Sequence, residues 1–209
     1  MSPLIFRSRR RLIGVFLAFL VVFETVAYAT SIPHQREYFL QLYVLGANRL
    51  LTDYYPNNDP DIGLGEQVQW HVGVTSFMGT VQLVAIRLKL GNETAKPPDE
   101  VGAQPSSAFL VVEFWQFLQD NATWEMPLFW QITEAEVVDG YVWVLELQIS
   151  DQTYRVANVM AVDGYNFRFI IELWTWEAQS DSLQLGWSTG SERRIAWVQL
   201  WFNMTSPLY

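Results

Sequence analysis

QVQWHVGV, residues 67–74, alternates strictly: Val68, Trp70, Val72 and Val74 point one way, and Gln67, Gln69, His71 and Gly73 point the other. Alternation with period two is the pattern of a strand that buries one face. The same period recurs in YVWVLELQI, which puts Tyr141, Trp143, Leu145, Leu147 and Ile149 on one face. In YNFRFIIEL it sets Tyr165, Phe167, Phe169, Ile171 and Leu173 against Asn166, Arg168 and Glu172. Further strands are expected at 37–45, 81–90, 108–118, 128–133 and 195–204, and no segment after residue 30 sustains a helical period. Turn-rich stretches separate these runs, among them YYPNNDPDIGLGE, GNETAKPPDEVGAQPSS and EAQSDSLQLGWSTGSERR. About eight strands so spaced predict an all-β, immunoglobulin-like antiparallel β-sandwich. The expected domain spans 33–209.

Composition narrows the function. The 209 residues are half apolar and include 10 Trp, 9 Tyr and 13 Phe, enough for a sizeable core. With 13 basic and 22 acidic residues the net charge is −9, and the basic N-terminus conceals a still more acidic remainder. A phosphate backbone would be repelled, so no nucleic-acid partner is expected. The absence of cysteine removes disulfides, thiolate nucleophiles and cysteine zinc sites together.

The N-terminus, FRSRRRLIGVFLAFLVVFETVAYATS, carries Arg7, Arg9, Arg10 and Arg11 ahead of an uncharged run from Leu12 to Phe23. Basic residues before an apolar segment hold the N-terminus in the cytoplasm. The expected organisation is a cytoplasmic basic segment at 1–11, a transmembrane anchor or signal peptide at 12–30, and an extracytoplasmic domain beyond. Leu12 through Ala29 makes roughly 27 Å of helix. Ala27-Tyr28-Ala29 is a small-x-small cleavage pattern, so the chain is single-pass if the helix is retained and secreted if it is cut at Ala29.

Candidate chemistry is sparse. His34 and His71 are the two histidines, and no nucleophile elbow accompanies them. Asn57, Asp59 and Asp61 alternate as calcium ligands do, but Gly63 falls one place late and Val68 stands where the loop needs Glu. A turn is expected there, with calcium as the residual candidate and no cofactor. Glu113, Glu125, Glu146 and Glu172 are the carboxylates a glycosidase would draw on, and alternation assigns them to solvated faces. Asn92, Asn121 and Asn203 each head an Asn-x-Thr triplet and are glycosylation candidates, Asn92 foremost because it lies in a loop. Trp115, Trp130, Trp174, Trp176, Trp187 and Trp197 exceed what one narrow core absorbs and are the interaction candidates.

REYFLQLYVLGANRLLTDYYP, LGEQVQWHVGV, NATWEMP and LWFNMT, in that order, resemble the domain of unknown function 1616 family of largely archaeal membrane proteins. The resemblance covers most of 36–205. It implies membrane segments followed by an extracytoplasmic immunoglobulin-like domain, and it carries no catalytic residues. The chain departs from the pattern in having one membrane segment, a longer aromatic middle and two Leu-Trp strands, Leu173-Trp174 and Leu200-Trp201.

The expected function is a non-enzymatic, membrane-anchored envelope protein whose sandwich mediates protein interaction or assembly. Its expected partners are membrane lipid through the helix, and other envelope proteins or further copies of itself. The alternative is a carbohydrate-binding module that stacks surface Trp and Tyr on glycans, and a hydrolase ranks third.

Overall fold

The computed structural model describes residues 4–31, 36–190 and 192–205, with the backbone alone at 4–13 and 29. His34 lies outside the described residues. A helix, α1, spans Leu4–Ser31. Among the described residues no helix is long and apolar enough to cross a membrane. The expected span at 12–30 includes Leu12, Ile13 and Ala29, whose side chains are not among those described.

From Tyr38 onward the chain forms one unit built almost wholly of strands. They are β1 (Leu40–Leu45), β2 (Asp61–Ile62), β3 (Val68–Ser76), β4 (Gln82–Gly91), β5 (Phe109–Leu118), β6 (Thr123–Val138) and β7 (Tyr141–Ile149). After these come β8 (Gln152–Arg155), β9 (Met160–Val162), β10 (Phe167–Glu177), β11 (Ser182–Leu185), β12 (Trp187–Thr189), β13 (Glu192–Arg194) and β14 (Trp197–Met204). One sheet runs β1-β3-β6-β7-β8, with β9 also on β7; the other runs β2-β14-β10-β4-β5, with β11 also on β10. The protein is therefore mostly β, two main sheets forming a sandwich.

The inward side chains of the opening stretch behave as its alternation dictates, whereas His71 and Gly73 on the other face are buried as well. Val68, Trp70, Val72 and Val74 are all buried. They enter a core in which Trp130 lies 5.2 Å from Trp70, 4.8 Å from Phe169 and 5.1 Å from Phe202, ring centroid to ring centroid. Such tilted and edge-on contacts add to the area these rings bury. The Trp70 indole N–H donates to the Tyr54 carbonyl at 2.7 Å.

Three expectations are corrected. β6 is sixteen residues long and starts at Thr123, not at 128. Pro127 is tolerated inside it because β7 ends at Ile149, opposite Trp130, so the strand around Pro127 is paired on its β3 side alone. Second, Tyr141 and Trp143 do not share the buried face of Leu147 and Ile149. The β6–β7 register shifts on both sides of Glu134, and the bulge hands the core to Val142 and Val144, leaving Tyr141 exposed. Third, β10 has no solvated face between Phe167 and Thr175: Arg168, Ile170 and Glu172 are buried together with Phe167, Phe169 and Ile171. Tyr165 precedes that strand and is exposed.

Candidate interaction face and edge

The outer surface of the second sheet is built by cross-strand pairing. Arg168 stands opposite Trp201, Glu172 opposite both Trp197 and Arg87, Arg87 opposite Glu113, and Ala85 between Trp174 and Trp115. Half of this face is closed. The segment 92–108 folds over it and closes on itself through an Asp99–Gln104 bridge. Its Ser106 N–H donates to the Glu172 carboxylate at 2.6 Å. The same carboxylate, fully buried, takes the Lys89 ammonium at 3.0 Å and the Trp174 indole N–H at 3.0 Å. The Lys89 ammonium also donates to the Ser106 carbonyl at 2.8 Å. A carboxylate so enclosed needs this number of donors to offset its lost hydration.

Two arginines order the neighbouring tryptophans. Arg87 pairs with Glu113 and lies 3.7 Å from the Trp174 ring centroid. Arg168 donates to Gln199 at 2.8 Å and to the Ala95 carbonyl, and lies 4.6 Å from the Trp201 ring centroid. Burial lowers the pKa of its guanidinium below the ordinary arginine value.

The other half of the face is open. Trp115 is 46% exposed, Phe117 70%, Trp176 38% and Trp201 39%. Trp115 and Phe117 belong to β5, the free edge of its sheet. That strand, FLVVEFWQFL, has ten residues, one charge and neither Pro nor Lys. An edge strand of this length and composition carries none of the usual protections against pairing with another chain.

The six tryptophans expected at an interface therefore separate. Trp115 and Trp176 are exposed and Trp197 is partly exposed, its N–H 3.4 Å from Glu100. Trp130, Trp174 and Trp187 are buried and present no surface. Parity carries the signal that tells them apart. In WVQLWFNM, Trp197 and Trp201 alternate in step with Gln199 and Asn203 and so face outward, while Trp130 alternates with Leu128 and Ile132. Trp201 and Phe117 were recoverable from that rule and from their polar neighbours on the same face.

The other candidates are dispersed. Glu113 and Glu172 lie on this face, each engaged by a cation. Glu125, on the other sheet, accepts from the Tyr43 hydroxyl at 3.0 Å and pairs with Arg49 at 3.3 Å, with His71 at 3.8 Å. Glu146 stands opposite Glu134 and accepts from Thr133 at 2.9 Å. No shared pocket brings these four carboxylates together among the described residues.

At the calcium candidate, Asn57 lies in a short 3-10 turn at Pro56–Asn58. Asp59 caps the Asp61 N–H at 3.0 Å, and Asp61 accepts from Asn203 at 2.7 Å. Among the described residues no three His, Cys, Asp or Glu are grouped to hold a metal. Of the acceptor triplets, Asn92 gives its amide N–H to the Met160 carbonyl at 2.7 Å, and Asn203 gives its own to Asp61. Both are thereby engaged at the atom a glycan would be joined to. Asn121 sits exposed in a turn with φ 58°, and its amide N–H donates to Asp120 at 3.1 Å.

No family model matches the chain, and no curated protein matches it. Solved structures similar to it include the CARDB domain of the PF1109 protein from Pyrococcus furiosus, solved with di-metal ions. That likeness has 8% identity, 82% of this chain, 97% of that one and a TM-score of 0.39. The sporulation control protein Spo0M of Bacillus subtilis is similar at 10% identity, over 80% of this chain and 50% of that one, with a TM-score of 0.36. The Pseudomonas fluorescens alkylpurine DNA glycosylase AlkC, solved bound to DNA containing an abasic-site analogue, is similar at 10% identity, over 80% and 30%, with a TM-score of 0.34. At such scores nothing about activity, ligand or partner passes from these proteins to this chain.

Proposed function

We propose that this chain is a non-enzymatic, membrane-tethered protein whose extracytoplasmic β-sandwich mediates protein contact or assembly through the β5 edge. The observation that carries the reading is β5 itself, a ten-residue apolar edge strand with Trp115 and Phe117 open to solvent. Such an edge can extend its sheet into a second chain by main-chain hydrogen bonds, while exposed rings on the same strand supply contact area.

The four arginines ahead of the apolar run support the tether and its orientation. The order β14-β10-β4-β5 facing β1-β3-β6-β7 supports the immunoglobulin-like refinement of the sandwich.

Mass photometry of the detergent-extracted full chain tests this reading. The expected result is a species of two or more chains that Phe117→Lys shifts toward monomer, since a lysine on an edge strand opposes pairing. A monomer at every concentration, with Phe117→Lys indistinguishable from it, would overturn the proposal.

A further inference from the structure

Away from β5, a cleft of about 460 Å³ opens where the turn between β9 and β10 meets the turn after β4. Tyr141, Tyr165, Glu93, Thr94, Asp163 and Asn166 line it. We propose that this cleft binds a saccharide, specifically a pyranose ring that is neutral or carries an amine.

The walls are held before any ligand arrives. Asn92 ties the β4 turn to β9 through its 2.7 Å bond to the Met160 carbonyl, and its Oδ1 accepts from both the N–H and the hydroxyl of Thr94 at 2.9 and 2.8 Å. Asn203 accepts from the Asn166 N–H at 3.0 Å, and Asn166 reaches Glu93 at 3.4 Å. Gly164 (φ 79°) lets the β9–β10 turn press against the last strand: a Cβ there would lie 2.4 Å from the Met204 carbonyl oxygen. Three segments are thus cross-braced by short side chains, so ordering them costs a ligand little.

What the cleft offers is mixed in the way a sugar is mixed. Tyr141 and Tyr165 are 39% and 58% exposed, large apolar rings left in water beside a cavity. A pyranose has an apolar C–H face to lay on such a ring and a rim of hydroxyls that need acceptors. The acceptors are present: among the described residues the Asp163 carboxylate receives no hydrogen bond, and that of Glu93 receives only the long one from Asn166. The lining holds two carboxylates and no Lys or Arg, so a uronate or sulfated sugar would meet repulsion and an amino sugar attraction.

The test is an NMR titration of the full chain in detergent, following the side-chain amide signals of Asn92 and Asn166. The probes are cellotetraose, a glucosamine tetramer and a galacturonate tetramer. The first two are expected to shift the signals saturably and the third to leave them in place. Tyr165→Ala and Tyr141→Ser are each expected to weaken binding about ten-fold. Both residues are solvent-exposed, and the dispersion of the remaining amide signals shows directly that the variants fold. Saturable shifts from the galacturonate alone, no shift from any oligosaccharide, or binding unchanged in both tyrosine variants would overturn the proposal. So would a preference for N-acetyl-lysine amide over both sugars, which would mark a docking point for a basic side chain.

Discussion

Tyr43 lies across Gly73, its directly opposed neighbour on the adjoining strand, so closely that a Cβ on the glycine would fall 2.1 Å from the ring. The ring covers backbone that the glycine leaves bare and directs its hydroxyl to Glu125 at 3.0 Å. Gly73→Val should therefore destabilise the domain by about 1–3 kcal/mol although valine is the better strand residue. Urea denaturation of Gly73→Val, and of Gly73→Val with Tyr43→Ala, checks this. The second change should recover part of the loss by making room.

Removing one member of the Lys89–Glu172 pair should cost more than removing both. Glu172→Gln strands a buried ammonium, and a loss of about 3–5 kcal/mol is expected. The double variant Lys89→Met with Glu172→Gln should lie closer to wild type. A double-mutant cycle in denaturant measures the difference, and limited proteolysis within 92–108 should accelerate in the single variant.

Core and edge tryptophans should respond in opposite ways. Trp130→Ala empties the centre of the aromatic cluster and should cost about 3–5 kcal/mol. Trp115→Ser should change stability by less than about 1 kcal/mol while reducing the fraction of associated chains. Thermal unfolding beside mass photometry separates the two effects.

Alkaline pH should weaken the fold through Tyr55. Burial raises its phenol above the ordinary 10.0, and the hydroxyl donates to the Trp201 carbonyl at 2.6 Å. The folded state thus holds the proton more tightly than the unfolded one. The stabilisation is complete below about pH 10 and is lost as pH climbs from there toward the folded-state value. Denaturation midpoints between about pH 8 and pH 11 should fall in wild type and fall less steeply in Tyr55→Phe. Tyr43 and Tyr54, also raised by burial, leave a residual slope.

Most of the scaffold was legible because a strand with one buried face writes its burial into parity. Residues 67–74 show it, with every expected inward side chain in the core. Parity failed where something beyond the strand intervened. Glu172 and Arg168 look like solvated-face residues until 92–108 folds over them, a contact between segments more than sixty positions apart. Tyr141 and Trp143 were assigned inward because a bulge adds a residue without leaving a compositional mark. Short strands such as β8, β9 and β11 to β13 are too brief for any period to emerge. The cleft between Tyr141 and Tyr165 was illegible for the same reason, since its lining comes from turns, the three-residue β9 and the first residue of β7.

The pairing of β4 with β10 sets a timetable. Lys89 meets its counter-ion 83 residues later in the chain, and at a synthesis rate of about 5–20 residues per second that delay is roughly 4–17 s. Until then β4 can pair only with β5, an apolar edge strand with a single charge, and the hairpin they form lacks its neighbour on the β10 side. Folding dominated by such distant pairings is slow. The vulnerable species in this protein's life is thus a nascent chain that has made an apolar hairpin and is still waiting for Glu172.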